Sequence, residues 1–395
     1  MSTGVALLLE RDPVADDSCV QAALAEMTLA SLLARNALTQ PDALALAGSL
    51  QAESWTFASL DARVCHVAAR LRALELSDGE TVLVTGGASP YVLIAMLAAL
   101  RAGLGTALAP LAFGPAGLAA ACVASSAVAL IGAGDYRFGD FADVLAATAA
   151  AAPEVRLVAT CGDEGASGFV NLDEPGEAAA CEASTTHSIV TFIRDTSGMT
   201  AVAHDTSVVA VTALAFQQAL PDDGLPVLST IAPVTLAGIA CGPMAAWLGG
   251  RGLYLHGPFD SAVFAQDLRQ AGRAHGIVPA TGAAGFLAYD PLARAFASLT
   301  LLHRHADAQA LARACPQHLA HAGEVALFDL HSFGETLALA LPRNAQGQAQ
   351  AVAGAARHIH INGAASLAFE TRRARDGGLD MRGAISGNDR DWRPL

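Results

Sequence analysis

Between residues 81 and 131 short apolar runs alternate with helix-like stretches: Thr81-Val82-Leu83-Val84, Tyr91 to Arg101, Thr106 to Pro110, Leu118 to Ser125, and Ala127-Val128-Ala129-Leu130-Ile131. Short strands that are apolar on both faces must be covered on both faces, which calls for a parallel sheet with helices packed above and below it. The texture continues through Val155 to Thr160, Ile189 to Ile193, Val227 to Ile231, Gly252 to Leu255 and Ile277-Val278. Trp55 to Leu60 predicts a strand end turning into a helix, with Thr56 or Ser59 as cap and Leu60, Val64, Val67, Ala68 and Leu71 on one face. Beyond about Leu337 the pattern changes to short polar alternation such as His358-Ile359-His360-Ile361, a small β unit. The expected fold class is α/β: two adjoining α/β subdomains over 1–180 and 181–337, then a small β-rich unit over 338–395.

The 395 residues are 53% hydrophobic and 15% charged, a composition that excludes disorder and supplies sizeable cores. A formal charge of −14 sets the chain's own field against a phosphate backbone, so nucleic acid is not an expected partner. All 23 basic residues are arginine. Without an ammonium side chain the chain has no Schiff base, no lysine phosphate clamp and no lysine-assisted acyl transfer of its own. The seven cysteines are scattered without a CxxC pair and read as reduced small hydrophobes. Val5 to Leu9 lacks a basic flank and is too short for a signal peptide, and the apolar stretch from Tyr91 is broken by Arg101 and glycines. The expectation is a cytoplasmic protein with no membrane partner.

Four segments in order carry a resemblance. Trp55 to Asp61 resembles a "TYAEL" segment, and Ala95 to Gly103 resembles an "xxALxAG" helix leading to a "PL" strand end, here Pro110-Leu111. Thr196-Ser197-Gly198-Met199-Thr200 resembles the start of a "TSGTTGxPKG" phosphate loop, and Phe333-Gly334-Glu335-Thr336 resembles a "YGxTE" segment. The family so resembled is the adenylate-forming superfamily of acyl- and aryl-CoA synthetases, peptide-synthetase adenylation domains and luciferases. The resemblance covers residues 29 to about 390. It implies the N-terminal core of that fold, ending at Pro394-Leu395 where relatives reach the hinge into a C-terminal lid domain that this chain is expected to lack.

By that resemblance Thr196, Ser197, Gly198, Thr200, Phe333, Gly334 and Thr336 form a remnant nucleotide site, and Thr235, Leu236, Gly238, His321, Ala322 and Gly323 are acyl-pocket candidates. The departures are as informative as the matches. After Thr200 comes Ala201-Val202-Ala203-His204, so the "GxPKG" stretch with its lysine is deleted. The metal glutamate of "YGxTE" becomes Leu337, which cannot hold a hard cation. In the weakly matched Arg382-Gly383-Ala384-Ile385 the ribose aspartate becomes Ala384. The resemblance therefore implies an acyl-CoA synthetase-like protein that has lost adenylation and holds an acyl or aryl group, an acyl-thioester or a carrier protein. ATP, AMP and Mg²⁺ are expected to bind weakly, with CoA or an acyl-carrier protein as partner. Two alternatives stand beside it: an active AMP-forming ligase completed in trans by a lysine-bearing domain, and different chemistry in the same cleft. No catalytic residue is assigned and no metal is expected. His303 and His305 are read as facing apart on a solvated helix, and Ser197, His204-Asp205 and His187 make only a weak hydrolytic set.

Overall fold

The computed structural model describes residues 17–49, 54–134, 141–162, 168–174, 188–196, 198–282, 285, 287, 294–305, 325–361, 364–375, 378–386 and 388–394. Thr56 ends a strand and accepts the Ser59 N–H at 3.2 Å, starting the Phe57–Arg72 helix whose buried face is Leu60, Val64, Val67, Ala68 and Leu71. Ser89 caps the Pro90–Arg101 helix, with Pro90 in its first turn, where a missing N–H costs nothing. That helix is buried all round except at Tyr91, since it touches strands of both large sheets. Arg101 at its end is 2% exposed and is neutralised by Asp61 at 2.6 Å.

The first sheet runs Val170–Asn171, Leu157–Cys161, Ala127–Ala133, Thr81–Gly86, Gly105–Pro110, Ile189–Asp195, Gly198–His204. Its pairs are parallel except the last, an antiparallel hairpin. The second runs Leu337–Pro342, Ala326–Phe333, Phe296–His305, Ala274–Pro279, Val227–Ser229, Leu253–Leu255, Leu44–Gly48, Ser54–Thr56, parallel inside and antiparallel at both edges. A third sheet of four antiparallel strands, Ala356–Ile361, Ala364–Arg373, Leu379–Gly383 and Asn388–Pro394, packs on the Thr206–Gln217 helix. The α/β class with a terminal β unit is thus the architecture of the molecule.

Strand membership does not follow the sequence divisions at 180/181 and 337/338. Residues 44–56 pair into the second sheet, the first sheet reaches His204, and Leu337–Pro342 closes the second sheet instead of opening the β unit. The cause is non-local: Leu46 pairs with Leu253, about two hundred residues away in sequence, and Trp247 donates its indole N–H to the Ala45 carbonyl at 3.0 Å. Among the described cysteines, Cys122, Cys161 and Cys241 are buried and Cys65 is half-buried, all free. No described helix is long and apolar enough to cross a membrane.

Candidate functional site

Three chain reversals carry the candidate residues. The first is the hairpin Ile189–Asp195 to Gly198–His204, in which Asp195 pairs with Gly198. Only residues 196 and 197 remain for the turn, so the expected polar turn before a helix is a tight link between two strands. Thr196, Gly198 and Thr200 are exposed there, and Ser197 lies outside the described residues. The Gly198 N–H donates to the Asp195 carboxylate at 3.2 Å. A backbone donor that could face a phosphate is thereby occupied by a carboxylate, which also brings like charge to the turn.

The second reversal is residues 232–238. Thr235 accepts the Gly238 N–H at 3.1 Å and starts a helical stretch. A Cβ at Gly238 would run into the Ala232 carbonyl oxygen, so glycine is required for the close turn. The third is the hairpin turn 334–336, where Phe333 pairs with Leu337 and Gly334 takes φ +55°. Thr336 uses its hydroxyl internally, donating to the Phe333 carbonyl at 3.0 Å.

Glu335 ties these pieces together. It is 8% exposed, and its carboxylate accepts the Leu236 N–H at 2.7 Å. Burial raises its pKa against the lowering effects of Leu236 N–H, Arg304 and the Thr191 hydroxyl. Thr191 in turn lies 2.7 Å from His204 Nε2. Two buried hydrogen bonds, His204 to Thr191 and Leu236 N–H to Glu335, therefore lie on either side of the Thr191 hydroxyl, whose nearness acts to lower the Glu335 pKa. The structure brings Thr235, Leu236 and Gly238 beside the Phe333 to Thr336 turn. Thr196, Gly198 and Thr200 sit at the far end of their hairpin from His204. His321, Ala322 and Gly323 lie outside the described residues, as do His187 and His318.

Burial also pulls the His204 pKa down to about 4. An imidazole that weakly basic is a poor proton acceptor at neutral pH, so the shift marks a buried neutral ring and not a tuned general base. His204 lines a small cavity of ≈ 40 Å³ with Met27, Leu29, Ile189, Val209 and Met244.

Phe333 is 6% exposed and its ring lies 5.2 Å from that of His305. His305 and His303 correct the helical expectation: both are buried on the Phe296–His305 strand and face one way. Their rings stack on His331 of the neighbouring strand at 5.3 and 5.2 Å. His303 Nε2 meets Asp329 at 2.8 Å, and Arg343 donates twice to the same carboxylate oxygen. Burial pushes the His331 pKa down to about 3, so its ring is neutral. Sequence reasoning missed this cluster. Its signal was the period-two spacing of His303 and His305, and of Asp329, His331 and Phe333, inside otherwise apolar runs.

A second arrangement has the order of a hydrolytic triad: Ser298 Oγ is 2.8 Å from His275 Nδ1, and His275 Nε2 is 2.9 Å from Asp223. Ser298 is fully buried near the start of its strand and His275 is 1% exposed, so no substrate reaches the hydroxyl. Among the described residues no three His, Cys, Asp or Glu side chains converge as a metal-binding set.

A family model described as AMP-binding enzyme matches residues 33–318. No sequence match is found among curated proteins. Among solved structures, the apo structure of MbtA from Mycobacterium smegmatis is similar with a TM-score of 0.66 and 20% identity, over 94% of this chain and 71% of that one. The luciferase-like enzyme of the mealworm Zophobas morio aligns with a TM-score of 0.69 and 11% identity, over 92% and 87%. The N-terminal subdomain of NpsA from Klebsiella oxytoca, in complex with 3-hydroxybenzoyl-AMSN, aligns with a TM-score of 0.61 and 14% identity, over 90% and 87%. At these identities the likeness is one of fold.

Proposed function

The family match spans more than half of the chain, which therefore belongs to the AMP-binding enzymes, and from that premise we propose that it is an acyl- or aryl-CoA synthetase-like protein that no longer adenylates its ligand. In this reading its ligand is an acyl or aryl group, free or as a thioester on CoA or a carrier protein, held near the Thr235–Gly238 and Phe333–Thr336 turns. The observation that carries this reading is the two-residue phosphate turn, whose Gly198 N–H is spent on the Asp195 carboxylate. A triphosphate needs several donors on a longer loop and a cation nearby, and this chain contains no lysine. Further support comes from the residues that the resemblance would ask to hold Mg²⁺ and ribose. Leu337 is apolar, Glu335 is turned onto Leu236 N–H, and Ala384 is 6% exposed beside the Thr206–Gln217 helix. These groups do not suit a magnesium–nucleotide complex, and no step is assigned to one. Each missing donor or ligand typically costs about 3 kcal/mol of transition-state stabilisation, so three together would remove most of a ligase's rate.

The NpsA subdomain is in complex with 3-hydroxybenzoyl-AMSN, which supports an acyl or aryl class of ligand here. The test is calorimetric titration of the purified chain with ATP·Mg²⁺, AMP, a non-hydrolysable acyl-adenylate mimic and an acyl-carrier protein. The expected result is no measurable heat with ATP·Mg²⁺ or AMP, and binding of the acylated carrier protein. Micromolar binding of ATP·Mg²⁺ would overturn the reading and favour a ligase completed by a separate lysine-bearing chain.

A further inference from the structure

The arginines of this protein are paired with care. Arg101, Arg251 and Arg343, the fully buried ones among the described residues, meet Asp61, Asp223 and Asp329, and the half-buried Arg63, Arg70 and Arg382 also have acidic partners. Arg357 is half-buried and no acidic side chain pairs with it among the described residues. It opens the small β sheet, at the Ala356–Ile361 strand, and lines a groove of ≈ 640 Å³ with Leu341, Pro342, Gln350, Ala353 and Gly354. The volume lies within the range of small-molecule sites.

We propose that Arg357 is the receptor for an oxyanion, the phosphate or carboxylate group of a ligand lying in this groove. A half-buried guanidinium with no counter-charge has lost part of its hydration without a partner, and two oxygens of one carboxylate or phosphate group would supply two parallel hydrogen bonds at once. Apart from Gln350 the walls are alanine, glycine, proline and leucine, which leave room for the body of the ligand and offer no competing acid. Burial already lowers the Arg357 pKa, as an uncompensated cation requires. The neighbouring His358 and His360 are exposed, away from the buried Ile359 and Ile361. The site is separate from the cleft, because Pro342 is five residues along its strand from Leu337, about 16 Å. It does not depend on the function proposed above.

The experiment follows thermal unfolding of the full chain at constant ionic strength during titration with inorganic phosphate, pyrophosphate and propionate. Arg357→Gln, Arg357→Lys and the exposed Arg373→Gln are compared with the unaltered protein. At least one anion should raise Tm saturably, with apparent affinity at least tenfold weaker in R357Q, intermediate in R357K and unchanged in R373Q. A response to phosphate alone assigns a phosphate ester, and a response to propionate alone assigns a carboxylate. Equal responses in R357Q and the unaltered protein, or no saturable response to any anion, would overturn the proposal. Loss of the response in the cleft variant Thr235→Ala would overturn it too, by moving the anion into the cleft.

Discussion

Glu335 and His204 are both buried, on either side of Thr191, and respond to pH with opposite sign. His204 is held neutral by burial, its pKa pulled from 6.5 to about 4. The unfolded chain takes up that proton near pH 6.5 and the native protein does not, so stability falls as pH drops from 6.5 towards 4, by about 3 kcal/mol in total. Glu335 is raised above its ordinary 4.5, so its native state favours the protonated acid. Its contribution is fully present below 4.5 and is lost as pH climbs through the raised value. Urea unfolding at pH 7.5 and pH 5 should separate the two. His204→Gln should lose most of the acid sensitivity. Glu335→Gln keeps an acceptor for the Leu236 N–H, so it should gain stability at pH 7.5 and show a steeper loss on acidification. An unchanged pH slope in either variant would mean that the side chain is not buried as described. At the same scale Asp195→Asn tests the turn. Removing its negative charge should leave ATP·Mg²⁺ binding undetectable by calorimetry, because the two-residue turn still offers too few donors.

At the scale of elements, Gly383 ends a strand at φ +119°, and a Cβ there would lie 2.6 Å from the Ala368 carbonyl oxygen. Gly383→Ala should therefore cost about 3 kcal/mol or more in chemical unfolding, while a substitution at the open Gly87 should cost under about 1 kcal/mol. The Phe57–Arg72 and Pro90–Arg101 helices are joined by Asp61 and Arg101, and Asp61→Ala should cost about 3 kcal/mol by stranding a buried guanidinium. Elements of this kind were legible in the sequence because their signals are local. The Thr56 cap, the Leu60 to Leu71 face and the Thr81 to Val84 strand need only a few neighbouring residues to specify them. The strand of His303 and His305 was not, because two histidines two residues apart read as solvated until Asp329 and His331 of the next strand cover them. In the site, Thr235, Leu236 and Gly238 were marked only through the resemblance, and their close turn shows in the structure. The inward turn of Glu335 could not be marked from sequence, because it follows from a three-residue hairpin whose partner, Leu236, lies about a hundred residues away.

Across the whole molecule the two large sheets exchange segments. Residues 44–56 leave the first α/β stretch to complete the second sheet, and the Pro90–Arg101 helix is buried between the two. One continuous apolar cluster runs through Leu46, Val82, Leu97, Trp247, Phe333 and Phe369, so it includes side chains from all three sheets. Chains of this length commonly unfold in separate steps, because each domain usually carries its own core. Here neither large sheet can be removed without exposing the apolar face of the other. At about 25 cal/mol per Å² of apolar surface, that exposure would outweigh the entropy gained by releasing one sheet alone. The helix Thr206–Gln217 extends the same coupling to the small sheet, which it joins to Leu337–Pro342. Scanning calorimetry should therefore show one transition whose calorimetric and van't Hoff enthalpies agree, with fluorescence of Trp55 and Trp247 in the shared core and of Trp392 in the small sheet changing together. Two resolved transitions, or a Trp392 signal that moves well before the others, would mean that the small sheet melts as its own unit and that the shared core does not bind it.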